Sequence, residues 1–485
     1  MLINTPRNYS INHYGYLKSR RIVTHNLRKA DFKYYNLATP ENLNACETAQ
    51  KAMNKLICDN PIRSFFYGLY NKIVNNFNFQ HSDKNLAKTT RMVETIFNNL
   101  EFEYDGVKSH YLDFCKRKVD EKNIQKKDAM VSVLNEQIKS LEKPIRDLIR
   151  TRNAFAQQKG FDNYHQFLLK NLYGTSEAEI NELIDNYYKK YDVLNNLRKR
   201  ETIIAKEYNI APDEISPSLY SESLSKHSSL NDYLKNSKQI VDFTKNLYNS
   251  MGFEIDKLEN EDKIVFDLGT DDKKINRTYC RNLVPGHSVG ICVRADNTLA
   301  GIFSLLHELG HGMHYLKMYN WLPKPLKTCD YAVSEGIAYL FESLLYKENI
   351  LENIAPKSVV DKFKEYKKLD EICKFTLTVI DTQFEKELYK NPELDFEATY
   401  KKLEEKYYGK TGINGFCTPQ IISNPIYLQN YLRASILSEK IYSSATKNLG
   451  TELSVNTKTA DFLQKRVFGL GKLINPNILE TILKL

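Results

Sequence analysis

Apolar residues recur at intervals of three and four along much of the 485-residue chain, which is the spacing that places them on one face of a helix. The clearest example runs from Val119 to Arg152, where Pro144 interrupts the pattern. Its apolar positions are Met130, Val133, Leu134, Ile138, Leu141, Ile145 and Leu148. We expect one long helix, kinked or divided at Pro144, because proline lacks a backbone N–H. Similar patterns predict helices between Pro40 and Leu100, onward to Arg200, and from Leu230 to Met251.

Two short segments break the helical pattern in the second half of the chain. Ile264–Leu268 and Val289–Arg294 are rich in β-branched and other apolar residues, and turn residues bound them. Each therefore predicts a strand. The chain is expected to be largely helical, with a small sheet just before the apolar segment that begins at Leu299.

That apolar segment contains the most informative motif, His307-Glu308-x-x-His311. Residues four apart on a helix share a face, about 5.4 Å apart along the axis, so both imidazoles can reach one metal ion with Glu308 beside it. Neutral imidazole suits Zn²⁺, and a catalytic zinc keeps one position open for a water whose pKa falls to about 7. The motif predicts a zinc site in which Glu308 takes and returns that water's proton. The alternative is a pair of buried histidines that serve only the core.

A zinc ion bound by two histidines needs a third protein ligand, usually a carboxylate or another histidine. His314 lies about 10.5 Å beyond His307 along a straight helix, too far to bind the same ion, and is expected to be a cleft residue. Asp330 and Glu335 lie in a second predicted helix, between residues 328 and 342. Both spacings suit a hairpin of two helices, so spacing leaves the choice between these carboxylates open.

Composition narrows the range of partners and locations. The chain has 69 Lys and Arg against 60 Asp and Glu, and its lysines are dispersed along predicted helices, which favours solvated helix faces over nucleic-acid binding. The eight cysteines form no C-x-x-C pair, which is typical of reduced thiols. The N-terminus has no apolar signal region, and no segment approaches the roughly 18 apolar residues of a membrane helix. We expect a cytoplasmic protein without nucleic-acid or membrane partners.

Three landmarks resemble one group of peptidases. The motif H-E-L-G-H-x-x-H, followed by Glu335 and Glu342, is similar to the gluzincin pattern of the thimet oligopeptidase and oligopeptidase F family. The angiotensin-converting-enzyme and thermostable-carboxypeptidase families share much of it. Arg152–Tyr164 and Asn424–Tyr431 look like two further segments of these peptidases, and all three landmarks occur in the family's order.

The resemblance implies an all-α fold in which two helical lobes flank a deep cleft that admits short peptides, with a small sheet next to the zinc. It implies one Zn²⁺ per chain, held by His307, His311 and Glu335, which favours Glu335 over Asp330. Glu342 is expected to orient a zinc-binding imidazole or to be a buried ion-pair partner. Residues 1–245 would form a helical lobe and cleft wall, and residues 246–485 the zinc-binding lobe, with the two interwoven.

The C-terminal landmark departs from the family pattern. These families place there a histidine that, with a tyrosine, binds the tetrahedral intermediate, whereas no histidine follows His314 in this chain. Ser423 and Asn424 stand near the expected position. Tyr427 and Tyr431, four residues apart, are therefore expected to stabilise the oxyanion.

The predicted strand before the metal helix is a candidate for substrate binding. An exposed strand can hold an extended peptide by main-chain hydrogen bonds, and the candidate residues are Val289, Gly290, Ile291 and Cys292. The alternative is a structural hairpin beneath the site.

We expect a zinc oligoendopeptidase that hydrolyses short peptides. One alternative is a carboxypeptidase or dipeptidyl carboxypeptidase on the same fold, for which Arg294 and Arg433 are candidate partners of the terminal carboxylate. Another is a catalytically weak, peptidase-like protein that only binds peptides. Mn²⁺ or Co²⁺ could take the place of zinc in this ligand set.

Overall fold

The computed structural model describes residues 83–220, 222–269, 278–296, 298–320, 327–413 and 420–484. Helices form most of this part of the chain, and the expected all-α class with a small sheet is confirmed. The helices predicted between residues 40 and 82 lie outside the described residues. Within the described residues, no helix combines the length and apolar character needed to cross a membrane.

The helices are numbered here in chain order. They are α1 (Lys84–Asn98), α2 (Tyr111–Asp120), α3 (Ile124–Lys139), α4 (Glu142–Gln158), α5 (Tyr164–Asn171), α6 (Glu177–Tyr191), α7 (Val193–Tyr208), α8 (Pro217–Tyr220), α9 (Ser237–Ser250), α10 (Ile255–Asn260), α11 (Leu299–Leu316), α12 (Tyr331–Lys347), α13 (Lys357–Lys390), α14 (Phe396–Tyr408), α15 (Gln420–Ser423), α16 (Gln429–Leu449), α17 (Thr459–Leu463) and α18 (Pro476–Lys484). Short 3₁₀ turns join several of them, including Leu230–Tyr233, where the sequence predicted the start of α9.

The long amphipathic stretch before Arg152 is divided near Pro144, as predicted. Pro144 lies in the first turn of α4, where a missing N–H removes no intrahelical hydrogen bond. A second break, between α2 and α3, was not predicted. Asn123 causes it, since its side chain accepts a hydrogen bond from the Lys126 N–H and so caps α3.

The five strands in the described part of the chain form two sheets. β1 (Phe102–Tyr104) and β2 (Val107–Ser109) make a hairpin far along the chain from the metal motif. The second sheet has the order β3 (Ile264–Asp267), β5 (Ser288–Cys292), β4 (Tyr279–Val284), in which β5 is parallel to β3 and antiparallel to β4.

The choice of β5 as an exposed substrate-binding strand was wrong. Val289, Gly290, Ile291 and Cys292 lie in the central strand, whose two sides are both taken by neighbouring strands, and all four residues are buried. A central strand has no free edge to which a peptide could be added. Its side chains instead support α11: a Cβ at Gly312 would lie 3.2 Å from Ile291 Cδ1 and 3.4 Å from Val289 Cγ2.

Buried apolar residues form two large clusters. One joins α4–α7 to α13 and α14, and the other surrounds α9, α11, α12 and α16 together with the three-stranded sheet. The clusters are interleaved along the chain, because α13 and α14 follow α12 in sequence but pack with the earlier helices. The proposed division at residue 245 stays a prediction.

Candidate metal centre

Two packed helices, α11 and α12, carry the predicted zinc-binding residues. Thr298 caps α11 by accepting a hydrogen bond from Gly301 N, and the apolar face of α11 is buried in the core. Gly310 permits close packing, since a Cβ there would lie only 2.9 Å from Phe341 Cδ2 and 3.1 Å from Ala338 Cα. The two histidines of the motif also face α12, where they lie close to Glu335 and Glu342.

Asp330 is the N-cap of α12 rather than a metal ligand. Its Oδ1 accepts hydrogen bonds from the backbone N–H groups of Ala332 (2.9 Å) and Val333 (3.2 Å). The carboxylate therefore satisfies donors that the first turn of a helix leaves unpaired. Glu335, one turn further along α12, faces the histidines instead.

His307, His311 and Glu335 form a three-residue group that could hold a metal ion. The two Nε2 atoms lie 3.1 Å apart, and Glu335 Oε2 lies 3.5 Å from Nε2 of His307 and 3.8 Å from Nε2 of His311. Ligands at zinc-bond distances of 2.0–2.1 Å in a tetrahedral arrangement are roughly 3.3 Å apart. The spacing of the three atoms thus suits one small cation.

The second ring nitrogen of each histidine, Nδ1, already has a partner. His307 Nδ1 lies 2.5 Å from Glu342 Oε1, and His311 Nδ1 lies 2.9 Å from Ser334 Oγ. These contacts direct both Nε2 atoms toward Glu335, as partners of metal-bound imidazoles commonly do. The partner of His307 is the residue that the resemblance suggested.

Glu335 fits a metal for an independent reason. Its Oε1 accepts a hydrogen bond from the Tyr427 hydroxyl at 2.7 Å, while its Oε2 is buried without a hydrogen-bond partner. A buried carboxylate oxygen without a donor is costly. A cation between Oε2 and the two imidazoles would remove that cost, so the residues present fit the zinc ion that the resemblance implies.

The electrostatic environment also favours a cation. Burial would raise the pKa of Glu342, but its hydrogen bond with His307 and the positive charges of His307, Lys374 and Lys367 together lower the pKa to about 2. Burial likewise opposes ionisation of Glu335, and the two histidines lower its pKa. Two ionised carboxylates thus lie against two imidazoles that have little access to water.

Glu308 lies beside this group. Its side chain is 6% exposed, and its carboxylate accepts a hydrogen bond from the backbone of Cys280 in β4. Burial is the main reason that its pKa rises to about 7, and the negative charges of Glu335 and Glu342 raise it further, against the opposing effect of His307. The carboxyl group is thus next to the ligands and in contact with the sheet.

The two C-terminal tyrosines occupy different positions. The Tyr427 hydroxyl is bound to Glu335, so the structure gives it a supporting role at the ligand. The Tyr431 hydroxyl has no hydrogen bond to any residue in the described part of the chain, and its ring lies between those of Tyr427 and Tyr339. Tyr431 is the tyrosine with a free donor.

The expectation that His314 lines the cleft is wrong. Its side chain is 1% exposed, and its ring packs against Phe468, 5.5 Å between centroids. Burial lowers the pKa of His314 to about 3, which keeps the imidazole neutral.

Buried hydrogen bonds connect the region of the first landmark to the segment that leads into the last one. Arg152 of α4 is buried and donates hydrogen bonds to the carbonyl oxygens of Ile421 and Ile422, at 2.5 and 2.6 Å. The Tyr173 hydroxyl donates to Pro425 O at 2.9 Å. The first landmark thereby holds the segment that leads to Tyr427.

The residue just before Tyr427 has a strained backbone conformation. Ile426 has φ of +61°, a left-handed conformation that is rare for a β-branched side chain. Its N–H donates to Oε1 of the buried Glu385 at 2.8 Å. The turn that delivers Tyr427 to Glu335 is thus fixed by a hydrogen bond to α13.

Several residues of this arrangement were not predicted from the sequence. Ser334 and Glu385 lie 23 and 41 positions from their partners, and Cys280 acts through its backbone. Contacts between residues so far apart leave no periodic signal in the sequence. Ser334 could have been suspected only from its place next to Glu335.

Comparisons with known proteins agree with this geometry. The model of peptidase family M3 matches residues 121–431. A solved structure described as PZ peptidase A with inhibitor 2 has a TM-score of 0.63 at 13% identity, over 100% of this chain and 94% of that chain, which shows a shared fold. A search of curated proteins finds no match. Because the family model covers more than half of the chain, the protein belongs to peptidase family M3 and is a metallopeptidase that acts on peptides.

Proposed function

We propose that the protein is a zinc-dependent oligoendopeptidase that hydrolyses short peptides. The observation that supports this most is the convergence of Nε2 of His307, Nε2 of His311 and Oε2 of Glu335, with the Glu308 carboxyl group beside them. When bound, Zn²⁺ would supply Lewis acidity toward water and the scissile carbonyl group. Mn²⁺ and Co²⁺ are the alternatives that the same ligands would accept.

Glu308 is the proposed general base and acid. It is buried next to the ligands, and no other carboxylate in the group is free for this role, since Glu335 faces the ion and Glu342 holds His307. Its carboxylate would take a proton from the attacking water and later donate it to the leaving amine. The contact with the Cys280 backbone orients the carboxyl group for both steps.

Tyr431 is the proposed donor to the oxyanion. The position where relatives carry a histidine holds Ser423 and Asn424 here, and both are exposed. Tyr431 has an unengaged hydroxyl and packs against Tyr427, which contacts the ligand Glu335. Removing one such donor typically costs about 2.7–4 kcal/mol of transition-state stabilisation.

β4 is the proposed substrate-guiding strand in place of β5. It has one neighbouring strand among the described residues, and it touches Glu308 through Cys280. An extended peptide that paired with the outer side of β4 would place its backbone next to the base.

Neither arginine candidate favours the carboxypeptidase alternative. Arg433 is 8% exposed, donates to Tyr173 O at 3.1 Å, and lines a different cavity from the one that Glu342 lines. Arg294 follows the central strand β5 and is only half-buried. The alternative of a binding protein without turnover is tested by the same experiment as the proposal.

The experiment is zinc analysis combined with mass spectrometry of digested peptides of graded length. The proposal predicts about one zinc ion per chain and internal cleavage of short peptides, with activity lost on chelation and restored by zinc. Bound zinc without cleavage of any peptide would favour the binding-protein alternative. Release of one or two residues from the C-terminus alone would favour a carboxypeptidase mode.

A further inference from the structure

A cavity of about 450 Å³ adjoins the metal centre. Glu342, which holds His307, forms part of its wall, and so does Tyr339, whose ring lies 5.9 Å from that of His307. The cavity is enclosed by α6, α12, α13 and α16. A smaller recess that shares Tyr339 with it is lined by Lys374 and Tyr431. The recess is therefore next to the proposed oxyanion donor, and the cavity lies on the other side of residues that both share.

The acidic side chains of this cavity are already paired. Glu342 binds His307, Glu371 lies 2.6 Å from Lys367, and Glu365 lies 2.8 Å from Lys199. The fourth, Glu439, lies 2.8 Å from Lys190. Their negative charges are thus compensated by cations that do not line the recess next to Tyr431.

Of the four lysines that line the cavity and its recess, Lys364 donates a hydrogen bond to Asn349 Oδ1 at 2.7 Å, and the other three have no such partner among the described residues. Lys347, Lys368 and Lys374 make no ion pair with any residue in the described ranges. Lys374 Nζ lies 4.6 Å from the centre of the Tyr339 ring, which weakly favours a cation there. These three lysines can therefore accept an anionic ligand without first breaking an ion pair.

The position of Lys374 is the most informative. Burial is the largest single effect and would lower the pKa of its ammonium group, but Glu371, Glu342, Tyr431 and Glu335 together raise the pKa, so the group is charged at neutral pH. The side chain is solvent-accessible, yet it lines the recess behind Tyr431. A charged donor in such a place gains most from an anionic partner in a charge-assisted hydrogen bond.

We propose that this cavity and its recess form a substrate subsite that binds a carboxylate of the peptide, with Lys368 of the cavity and Lys374 of the recess as its cations. The carboxylate belongs either to an acidic side chain or to the C-terminus of the substrate. Tyr187, Tyr339 and Tyr346 provide aromatic walls for the aliphatic part of that residue. The inference rests on the proposed peptidase function and adds a substrate preference to it.

The test compares kcat/KM for peptides of one length and one core sequence. One peptide is neutral with an amidated C-terminus, and a second is the same peptide with a free C-terminus. A third series is amidated and carries Glu at successive positions around the cleaved bond, with Gln at the same positions as its control. Wild type is compared with Lys374→Gln, Lys368→Gln and the control Lys402→Gln, an exposed lysine on α14.

We expect wild type to prefer a carboxylate at one position, and Lys374→Gln to reduce that preference roughly tenfold or more. Lys368→Gln should act in the same direction, and Lys402→Gln should have no effect. If Lys374→Gln loses a preference for the free C-terminus, the subsite binds the terminal carboxylate of the substrate. If it loses a preference for Glu, the subsite binds an acidic side chain. The ratio between peptides is insensitive to the amount of folded enzyme, so partial unfolding of a variant would not imitate the result.

Equal wild-type cleavage of neutral, Glu-containing and free-carboxylate peptides would overturn the subsite and leave the peptidase function intact. A preference that persists unchanged in both Lys374→Gln and Lys368→Gln would also overturn it. Absence of cleavage of every peptide by the zinc-loaded wild type would instead overturn the proposed function itself.

Discussion

The substitution Tyr427→Phe separates the two tyrosines that the sequence analysis treated alike. It removes one hydroxyl group, which donates to Glu335 Oε1 at 2.7 Å, and leaves a ring that packs against Tyr331 and Tyr431. Glu335 is 7% exposed, so water does not easily replace the lost donor. We therefore expect weaker zinc binding with little change in the fold.

The size of the effect follows from the type of bond. A hydrogen bond to a charged group is worth about 1.5–3 kcal/mol, which corresponds to roughly 10- to 150-fold in an equilibrium constant. Loss of a contact that supports a metal ligand typically reduces metal affinity about 10- to 100-fold. We therefore expect the Kd of Tyr427→Phe for zinc to be about one to two orders of magnitude higher than that of wild type.

The assay is competition for zinc against a chelator of known affinity, with Tyr431→Phe as the matched control. Because the Tyr431 hydroxyl touches no ligand, this control should bind zinc as wild type does and lose about 100-fold or more in kcat. Wild-type zinc affinity in Tyr427→Phe would refute the supporting role of this tyrosine. Weak zinc binding with normal kcat in Tyr431→Phe would show that the two roles are reversed.

Four further substitutions test other parts of the structure. Glu335→Gln should lose zinc and activity, because it removes a metal ligand. Asp330→Asn should retain both, because asparagine can still cap α12. The opposite result in metal analysis would make Asp330 the ligand. Gly310→Ala should lower the free energy of unfolding by about 1–3 kcal/mol, because the new Cβ would lie 2.9 Å from Phe341; unchanged stability in denaturant titration would contradict this packing. Burial raises the pKa of Glu385 from its usual 4.5 to about 7, so the folded state holds its proton more tightly and stability is lost as pH rises from 4.5 to 7. Glu385→Gln keeps an acceptor for the Ile426 N–H. Its free energy of unfolding should exceed that of wild type by roughly 3 kcal/mol at pH 7 and by little at pH 4.5. A difference that does not change with pH would show that burial does not perturb the pKa of Glu385.

Features with local geometry were predictable from the sequence. The helical class, the two metal-bearing helices and the division near Pro144 follow from spacing within one or two turns. The pair His307 and His311 belongs to this group, because residues four apart meet on any helix. The choice of Glu335 over Asp330 came from the family resemblance, and the capping bonds of Asp330 supply its physical reason.

Features that depend on distant pairing were not predictable. Whether β5 lies at an edge depends on where β3 and β4 pair with it, and the alternation of side chains does not encode that order. His314 is buried because Phe468, more than 150 residues later, covers that face of α11. The hydrogen bond between Tyr427 and Glu335 likewise joins residues 92 positions apart.

Glu308→Gln tests most directly whether this ligand group supports hydrolysis by a carboxylate-assisted attack of water. The substitution preserves size and leaves His307, His311 and Glu335 unchanged, so we expect zinc content and thermal stability equal to those of wild type. General-base catalysis contributes about 10²–10⁴-fold, and peptide cleavage should fall by at least that factor. Wild-type cleavage by zinc-loaded Glu308→Gln would contradict the proposed mechanism.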